Sequence, residues 1–480
     1  MIIPNLIKKL HYWKQFKLSQ IGKARVVEIY LASKLIYAMN FYPIPLGTKN
    51  DLQKRIFNFV NFPHKVVTIA QKEMWKLREY GGIKLINLEV KSQSAQAKWL
   101  IQLASNDNFS INLSIFSRLL GPQIGDIKGK AIFFLQKSYF QRKLNTQSKF
   151  YKESLLALAN LDIKKGIDNI ISWDQEHIFY NPIFLTEEDK TFTLTGYCKK
   201  NNIYRYEQLL QEKHKEQQKI KHDKALVRLL NKIKIDTTLR REDVLLKSNG
   251  DELLFPQLSQ EILYEEILHK TYRDHPSQVK WALKVNYVLL WNEIWNTVHN
   301  FMSSNSTKTI IWQQLHLNFY TQYSYNKWHN KHDSCPLCLT IPQDIYHILF
   351  DCQFTNNMWS HLEPCIKKIY PSTVTQEEKA FGIVQKKPTP GILLRNWVTY
   401  LLRKFIAKQE RAAYHSSNIP KLGQAKHMFN ANIEFELNKK LWRYKNDSNM
   451  ATFDKFFTHA NVLCNKQSND EYDIVNVFKR

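Results

Sequence analysis

The stretch Cys335-Pro336-Leu337-Cys338, followed by His347 and Cys352, places four side chains that can bind a metal within eighteen residues. Structural zinc is held by four nitrogen or sulfur ligands in a tetrahedron, and two cysteines separated by two residues can bind one ion from a tight turn. The spacing C-x2-C-x8-H-x4-C leaves room for a short connector and the beginning of a helix that carries His347. It predicts a structural zinc site formed by Cys335, Cys338, His347 and Cys352, with no coordination position open for catalysis.

The backbone between His347 and Cys352 must bend for this site to form. On an unbroken α-helix, residues five positions apart lie about 140° apart around the axis. The helix that carries His347 is therefore expected to end or bend near residues 351–354. The alternative is that these cysteines are ordinary buried core residues, as cysteines often are. Half of the six cysteines fall in this stretch, with a histidine in register, which favours the metal site.

The charge of the chain indicates a polyanionic partner. Its 480 residues include 69 Lys and Arg against 43 Asp and Glu, a formal net charge of +26. Nucleic acid, either RNA or DNA, is the simplest partner, although association with ribosomes or membrane surfaces would require the same sign of charge. A coding sequence rich in A and T, which inflates Lys and Asn, is an alternative cause without functional meaning.

The cysteines and the apolar runs indicate the compartment. Cys198, Cys365 and Cys464 are scattered and form no disulfide framework, which is typical of a reducing environment. The N-terminus has no apolar run of signal-peptide length, and the most apolar stretch, 26–46, contains charged residues and two prolines. We expect no membrane contact and an intracellular protein, in the nucleus or the cytoplasm. The oligomeric state is left open.

The periodicity of apolar residues predicts a mainly α fold. Along 19–41 they recur at helical spacing, with Ser19 as a suitable N-cap and Pro43 as a stop. The same kind of pattern predicts helices at 89–104, 262–271 and 435–442. An Asn249-Gly250-Asp251 sequence is typical of a turn. We predict a multi-part helical protein with a small zinc-binding module and a few short strands or hairpins.

The residues around the cysteines resemble a known family. The pattern Cys335-Pro336-Leu337-Cys338, Asp344-x-x-His347-Ile348-Leu349-Phe350-x-Cys352 and Trp359 is similar to the zinc-binding segment near the C-terminus of LINE-type (non-LTR) retrotransposon reverse transcriptases. The preceding Ile311-Trp312-Gln313-Gln314-Leu315-His316 resembles the family's approach to that segment. His316 could be a metal ligand, but a core histidine is the preferred interpretation.

The N-terminal residues resemble another part of the same family. Leu18-Ser19-x-x-Gly22-Lys23, Glu79-Tyr80-Gly81-Gly82 and Ala97-Lys98-Trp99-Leu100 are similar to the thumb and adjacent connection, which in the family packs on the primer–template duplex. The resemblance implies four parts: a thumb-like helical bundle at 1–105, a helical linker region with a basic segment at 106–260, the zinc-binding reverse-transcriptase C-terminal region at 261–415, and a C-terminal helix and tail at 416–480.

The catalytic palm of that family has no counterpart in the sequence. Two-metal nucleotidyl transfer needs a close set of carboxylates. The family supplies them partly from an aromatic-Ala-Asp-Asp turn, and this sequence contains no Asp-Asp pair. We therefore expect a C-terminal fragment that begins after the catalytic core and that has no polymerase, nuclease or RNase H activity on its own.

The resemblance implies that this fragment grips template RNA or target DNA. Basic side chains contact phosphates independently of sequence, and the candidates near the first predicted helix are Lys14, Lys17, Lys23 and Arg25. Tyr320, Tyr323 and Trp328, just before the cysteines, could stack on unpaired bases, with core packing as an equally good account. Two alternatives stay open, a zinc-stabilised scaffold that binds another protein and a non-functional retroelement remnant.

Overall fold

The structure is a computed structural model of the chain. It describes residues 2–41, 44–63, 69–105, 148–164, 178–179, 183–203, 205–235, 244–285, 288–300, 302–319, 321, 334–340, 343–416, 421–467 and 471–474. Within these ranges the protein is mainly α-helical with short antiparallel strands, which confirms the predicted fold class.

The helices and strands are numbered along the chain. The α-helices are α1 (Ile2–Lys14), α2 (Gln20–Val26), α3 (Ser33–Phe41), α4 (Leu46–Asn61), α5 (Gln71–Trp75), α6 (Leu88–Ser105), α7 (Lys149–Leu158), α8 (Gly196–Lys200), α9 (Tyr206–Gln217), α10 (Lys224–Leu230), α11 (Gln260–His269), α12 (Pro276–Val285), α13 (Trp291–Val298), α14 (Asn305–Leu315), α15 (Gln353–Ile369), α16 (Gln376–Phe381), α17 (Pro390–Ser416), α18 (Leu422–Asn446) and α19 (Met450–Phe457). The strands are β1 (Ile163–Lys164), β2 (Phe184–Leu185), β3 (Lys234–Ile235), β4 (Val244–Leu246), β5 (Glu252–Leu254), β6 (Cys464–Lys466) and β7 (Tyr472–Ile474).

The helix predicted over 19–41 begins where expected. Ser19 has an extended backbone, and its hydroxyl accepts the N–H of Gly22 at 3.2 Å, which caps the first turn of α2. The helix continues through a π-helical turn, Val27–Ala32, into α3. The predictions at 89–104 and 262–271 correspond to α6 and α11, whereas the one at 435–442 is only part of the much longer α18.

The described residues divide into two compact units. The first consists of Met1–Leu6, Glu28–Arg55 and Ile86–Tyr272, and the second of Ile7–Val27, Ile56–Leu85 and Arg273–Arg480. Both are built from segments distant in sequence. The four-part division derived from the resemblance stays a prediction.

Helix α6 is the centre of the first unit, where it packs against α3, α7 and α11. The side chain of Gln53 accepts the N–H of Leu88 at 2.9 Å and donates to the carbonyl of Ile86 at 3.0 Å. The hydroxyl of Tyr264 accepts the N–H of Asn87 at 3.0 Å. These bonds provide partners for N–H groups at a helix N-terminus, which lack intrahelical acceptors.

Short antiparallel strands complete the first unit. β4 pairs with both β1 and β5, with Leu245 opposite Ile163 on one side and Leu253 on the other, and β2 pairs with β3. The predicted turn at 249–251 joins β4 to β5. Gly250 there has a φ of 91°, which glycine adopts without a steric penalty.

Helix α17 is the central helix of the second unit and packs against α14, α15, α18 and α19. Trp397 contacts Phe457 of α19, and Phe405 contacts Phe429 of α18, each with ring centroids 5.3 Å apart. Its buried apolar residues surround most of the helix and include Ile392, Leu394, Trp397, Val398, Leu401, Leu402, Phe405 and Ile406. A helix that is apolar on most sides belongs in a core.

The polar residues of α17 are buried as well. Their spacing places them along one side of the helix, and we call them the polar stripe: Arg395, Asn396, Thr399, Tyr400, Arg403 and Lys404. Arg395 binds both carboxylate oxygens of Glu378, each at 2.6 Å. Arg403 donates twice to the side-chain oxygen of Gln314, at 3.0 and 2.7 Å. The stripe therefore joins α17 to α16 and α14 through charged hydrogen bonds, which are stronger than neutral ones.

The turn after α16 fits closely against this stripe. Asn396 accepts the N–H of Ile383 at 2.7 Å and donates to its carbonyl at 2.9 Å, while the Tyr400 hydroxyl donates to the carbonyl of Phe381 at 2.6 Å. Gly382 lies between them with a φ of 78°, and a Cβ there would be 2.8 Å from Asn396 Oδ1. Glycine is therefore required at this turn on both conformational and steric grounds.

Arg395→Leu should lower the free energy of unfolding by about 3–5 kcal/mol, because it leaves the Glu378 carboxylate buried without its partner. The double variant with Glu378→Leu should recover much of this loss. Urea unfolding followed by circular dichroism measures both. Arg443→Ala, which removes the exposed pair with Asp447, is the control and should change stability little. A loss below about 1 kcal/mol for Arg395→Leu would contradict a central role for this pair.

Candidate metal centre

The first two candidate ligands lie in a tight turn. The N–H of Cys335 donates to the carbonyl of Thr340 at 2.8 Å, and the N–H of Leu339 donates to the carbonyl of Cys335 at 2.7 Å. Leu339 has a φ of 65°, which reverses the chain direction. This turn brings the sulfur atoms of Cys335 and Cys338 to the same side, as the C-x2-C spacing predicts.

The other two ligands are His347, the first residue of the π-helical turn His347–Asp351, and Cys352, which directly follows this turn. The carboxylate of Asp344 accepts the N–H of His347 at 2.7 Å at the beginning of this helix. At its end the N–H of Cys352 donates to the carbonyl of His347 at 2.7 Å. A bond between residues five apart defines a π turn, which brings the two residues closer in direction than an α turn does.

The helix therefore ends at Asp351, within the predicted range. Cys352 is extended, with φ −65° and ψ 121°, and it is also the N-cap of α15. Its side chain can reach the cysteine turn because the helix does not continue through it.

The four ligand atoms converge. The sulfur atoms of Cys335, Cys338 and Cys352 and a ring nitrogen of His347 all lie within 4.8 Å of one another, and the cluster could hold a metal ion. The Cys335 and Cys352 sulfurs are 3.9 Å apart, and Nε2 of His347 is 3.2 Å from the Cys338 sulfur. Cys335 and Cys352 are buried, whereas Cys338 and His347 are partly exposed. One side of the cluster thus faces the core and the other faces solvent.

The two buried thiols polarise each other. The hydrogen bond from the Cys335 thiol lowers the pKa of Cys352 to about 5, and the same interaction raises the pKa of Cys335. Thiolate is the form of cysteine that binds metals. The pair thus favours a thiolate at Cys352 even before an ion is considered.

A buried contact anchors this site to α17. Gln343, between the cysteine turn and His347, is fully buried and donates to Oε1 of Glu410 at 3.2 Å. Burial raises the pKa of Glu410 to about 7, although the hydrogen bond from Gln343 acts in the opposite direction. No motif in the sequence predicts this pair. The available signal was the helical spacing, because Ile406, Ala407 and Ala413, three or four residues away on the same face of α17, are apolar and predict a buried position for Glu410.

Aromatic contacts also position the π turn. The ring of Trp281 in α12 contacts Tyr346 and Phe350, with centroids 5.0 and 6.4 Å apart. The indole N–H of Trp281 donates to the carbonyl of Leu315 at 2.9 Å. Trp281 therefore ties the candidate metal centre to the end of α14.

His316 is a core residue, in agreement with the preferred interpretation. Its Nδ1 lies 2.9 Å from the carbonyl of Trp312, and its ring contacts Trp295 and His275 at centroid distances of 5.0 and 4.7 Å. Burial lowers its pKa to about 3. It is not among the four converging ligands.

The predicted phosphate-binding residues differ in exposure. Lys17 and Arg25 are exposed, and Lys14 is half-buried with its ammonium 5.5 Å from the centre of the Phe62 ring. Lys23 is only 3% exposed, and its ammonium donates to the carbonyl of Phe62. Burial, and then the charge of Lys14, lower the pKa of Lys23. Its amine is thus already engaged inside the fold, which the helical pattern did not reveal.

The predicted stacking residues Tyr320, Tyr323 and Trp328 lie outside the described residues. Comparison of the sequence with protein-family models gives no match, and no curated protein matches it. Among the described helices, none is both long enough and apolar enough to span a bilayer.

Glu410→Gln should become more stable relative to the wild type as the pH rises from about 4.5 to about 7. In the unfolded chain this carboxyl loses its proton near pH 4.5, whereas in the fold it keeps it to about pH 7. Folding therefore takes up a proton in this window, and wild-type stability falls as the pH rises. The difference should approach roughly 3 kcal/mol at pH 8.

Urea unfolding at several pH values tests this prediction. Glu187→Gln, at an exposed position, is the matched control and should keep a constant offset from the wild type. A constant offset for Glu410→Gln as well would show that this carboxyl does not titrate as described.

Proposed function

We propose that Cys335, Cys338, His347 and Cys352 bind one structural zinc ion. A tetrahedral zinc with bonds of about 2.3 Å to sulfur and 2.0–2.1 Å to nitrogen separates two sulfurs by about 3.8 Å and a sulfur from a nitrogen by about 3.6 Å. The Cys335–Cys352 separation of 3.9 Å fits this geometry, and the 3.2 Å between Cys338 and His347 requires only a small opening. Three thiolates and one imidazole fill the four positions, so the role is structural.

Purified wild-type protein should contain about one zinc per chain, and Cys338→Ser should lose most of it after dialysis against a chelator. Elemental analysis by mass spectrometry measures the metal content. Cys198→Ser, which alters a buried cysteine far from the cluster in sequence, is the control and should keep its zinc. Equal zinc content in all three proteins would contradict the proposed zinc site.

We further propose that the chain binds nucleic acid without strong sequence preference, as the C-terminal part of a LINE-type reverse transcriptase. The observation that carries this proposal is the net charge of +26, supported by the Cys-Cys-His-Cys cluster at the spacing of that family. A chain with this excess of Lys and Arg attracts polyanions, and phosphate contacts supply sequence-independent affinity. Template RNA and target DNA are the substrates that the family resemblance suggests.

A basic and aromatic surface near the N-terminus suits this role. Tyr12 and Phe16, 55% and 42% exposed, contact each other with ring centroids 5.4 Å apart. Exposed Lys8 lies one helical turn before Tyr12, and exposed Lys17 follows Phe16. Such a mixture lets lysines contact the backbone of a single strand while aromatic rings stack on its bases.

The same surface belongs to the unit that contains the candidate metal centre. The N–H of Ile21 in α2 donates to the Thr309 hydroxyl of α14 at 3.3 Å, and Gln20 accepts from Gln313 at 2.8 Å. Helix α14 in turn binds Arg403 of α17 through Gln314. Loss of zinc should therefore weaken nucleic-acid binding indirectly, by loosening the unit that presents these side chains.

Replacing Lys17 and Arg25 together by Gln should weaken binding to duplex DNA and flatten its salt dependence. Each lost phosphate contact should reduce the slope of log affinity against log salt by about 0.9, and two contacts by about 1.8. Fluorescence anisotropy of labelled duplex and single-stranded probes across a salt series measures the slope.

The double variant Lys190→Gln and Lys466→Gln is the control, because it removes the same charge from two lysines that are far in sequence from α1 and α2 and that pair with Glu188 and Asp454. It should leave the slope unchanged. Wild-type affinity that does not vary with salt would refute the nucleic-acid proposal and favour the protein-binding scaffold.

A further inference from the structure

Helix α18 has apolar side chains on two opposite faces. Its inner face, with Phe429, Ile433 and Leu437, is buried in the second unit. On its outer face Met428, Phe435 and Trp442 are 46%, 64% and 68% exposed. Isolated exposed apolar residues are ordinary, but three large ones on the same face of one helix mark a surface suited to a partner.

The three exposed residues are spaced by seven positions. On a straight helix a seven-residue repeat drifts by only about 20° per repeat, so they lie in one line. Ala431 and Asn438 fall between them, four residues before the next large side chain. We call these five residues the outer stripe. Their order matches alternating a and d positions, with Met428, Phe435 and Trp442 at a, and Ala431 and Asn438 at d.

The flanking charges identify the occupant as a second copy of this helix. Glu434 is at a g position and Lys439 is at the following e position, and both are exposed. In a parallel pair each g residue faces the next e residue of the other helix, so Glu434 would face Lys439 of the partner subunit, twice by symmetry. An antiparallel pair centred on Phe435 would instead place the two Glu434 side chains opposite each other.

We propose that the outer stripe pairs with the same stripe of a second chain as a short parallel coiled coil. This inference is independent of nucleic-acid binding. The polar Asn438 at a d position would place one polar layer inside this interface, at some cost in stability. The stripe offers roughly 300–400 Å² per chain, well below the 800 Å² of a standard interface, so the dimer should be of micromolar affinity.

Sedimentation velocity of the full chain between about 1 and 100 μM tests the proposal in a range suited to such affinity. The wild type should shift from monomer to dimer, and Phe435→Glu or Trp442→Glu should remain monomeric throughout. Because both side chains are exposed, circular dichroism should show an unchanged fold. Leu283→Glu, at another exposed apolar position that is 78% exposed on α12, should still dimerise.

Charge-reversal variants test whether the two α18 helices are parallel. Glu434→Lys should weaken the dimer by roughly three- to tenfold, and adding Lys439→Glu should restore it. Three results would overturn the proposal: a wild type that stays monomeric at the highest concentration, dimers that survive Phe435→Glu, or a dimer insensitive to Glu434→Lys. If Trp442→Glu lowers affinity for a single-stranded probe while the wild type is monomeric, the stripe is a base-stacking surface.

Discussion

The second unit depends on charges buried along a single helix. Arg395 and Arg403 of α17 lose their hydration on folding, a cost that only well-placed hydrogen-bond acceptors offset. Those acceptors are the Glu378 carboxylate and the Ala380 carbonyl of α16, the Gln314 side chain of α14, and the carbonyls of Tyr370 and Ser372 between α15 and α16. Neighbouring elements can therefore pack on α17 only in positions that satisfy these groups, and this restricts the arrangement more than apolar packing alone would.

The candidate metal centre extends the same arrangement. It comprises a turn, a short helix with a π turn and the beginning of α15, too little apolar material for an independent core. Two kinds of contact position it, the buried hydrogen bond between Gln343 and Glu410 of α17 and the ring contacts of Trp281. A bound ion would supply the remaining constraint by tying the cysteine turn to the end of the π turn. Structural metals generally add stability in this way, because the unfolded chain cannot offer the same site.

The proposed roles use different surfaces of the second unit. The basic and aromatic residues near α1 and α2 are suited to a polyanion, whereas the outer stripe of α18 is suited to an apolar helix. Helix α18 can present that stripe because its inner face is independently anchored, by Phe429 against Phe405 and by Glu436 against Lys404 at 3.1 Å. A helix anchored on one face keeps its opposite face in a defined orientation, which lowers the entropic cost of recognition.

The sequence by itself determined the local features. The spacing of Cys335, Cys338, His347 and Cys352 identified the converging ligands and the helix end at Asp351, because short-range geometry limits what such spacings can form. Capping chemistry located the beginning of α2 at Ser19. Only the tertiary structure showed that Lys23 and Arg395 are buried while Phe435 and Trp442 are exposed. Helical periodicity separates the faces of a helix, but which face is covered depends on neighbours distant in sequence. A long basic side chain is equally compatible with solvent and with a buried acceptor until those neighbours are in place.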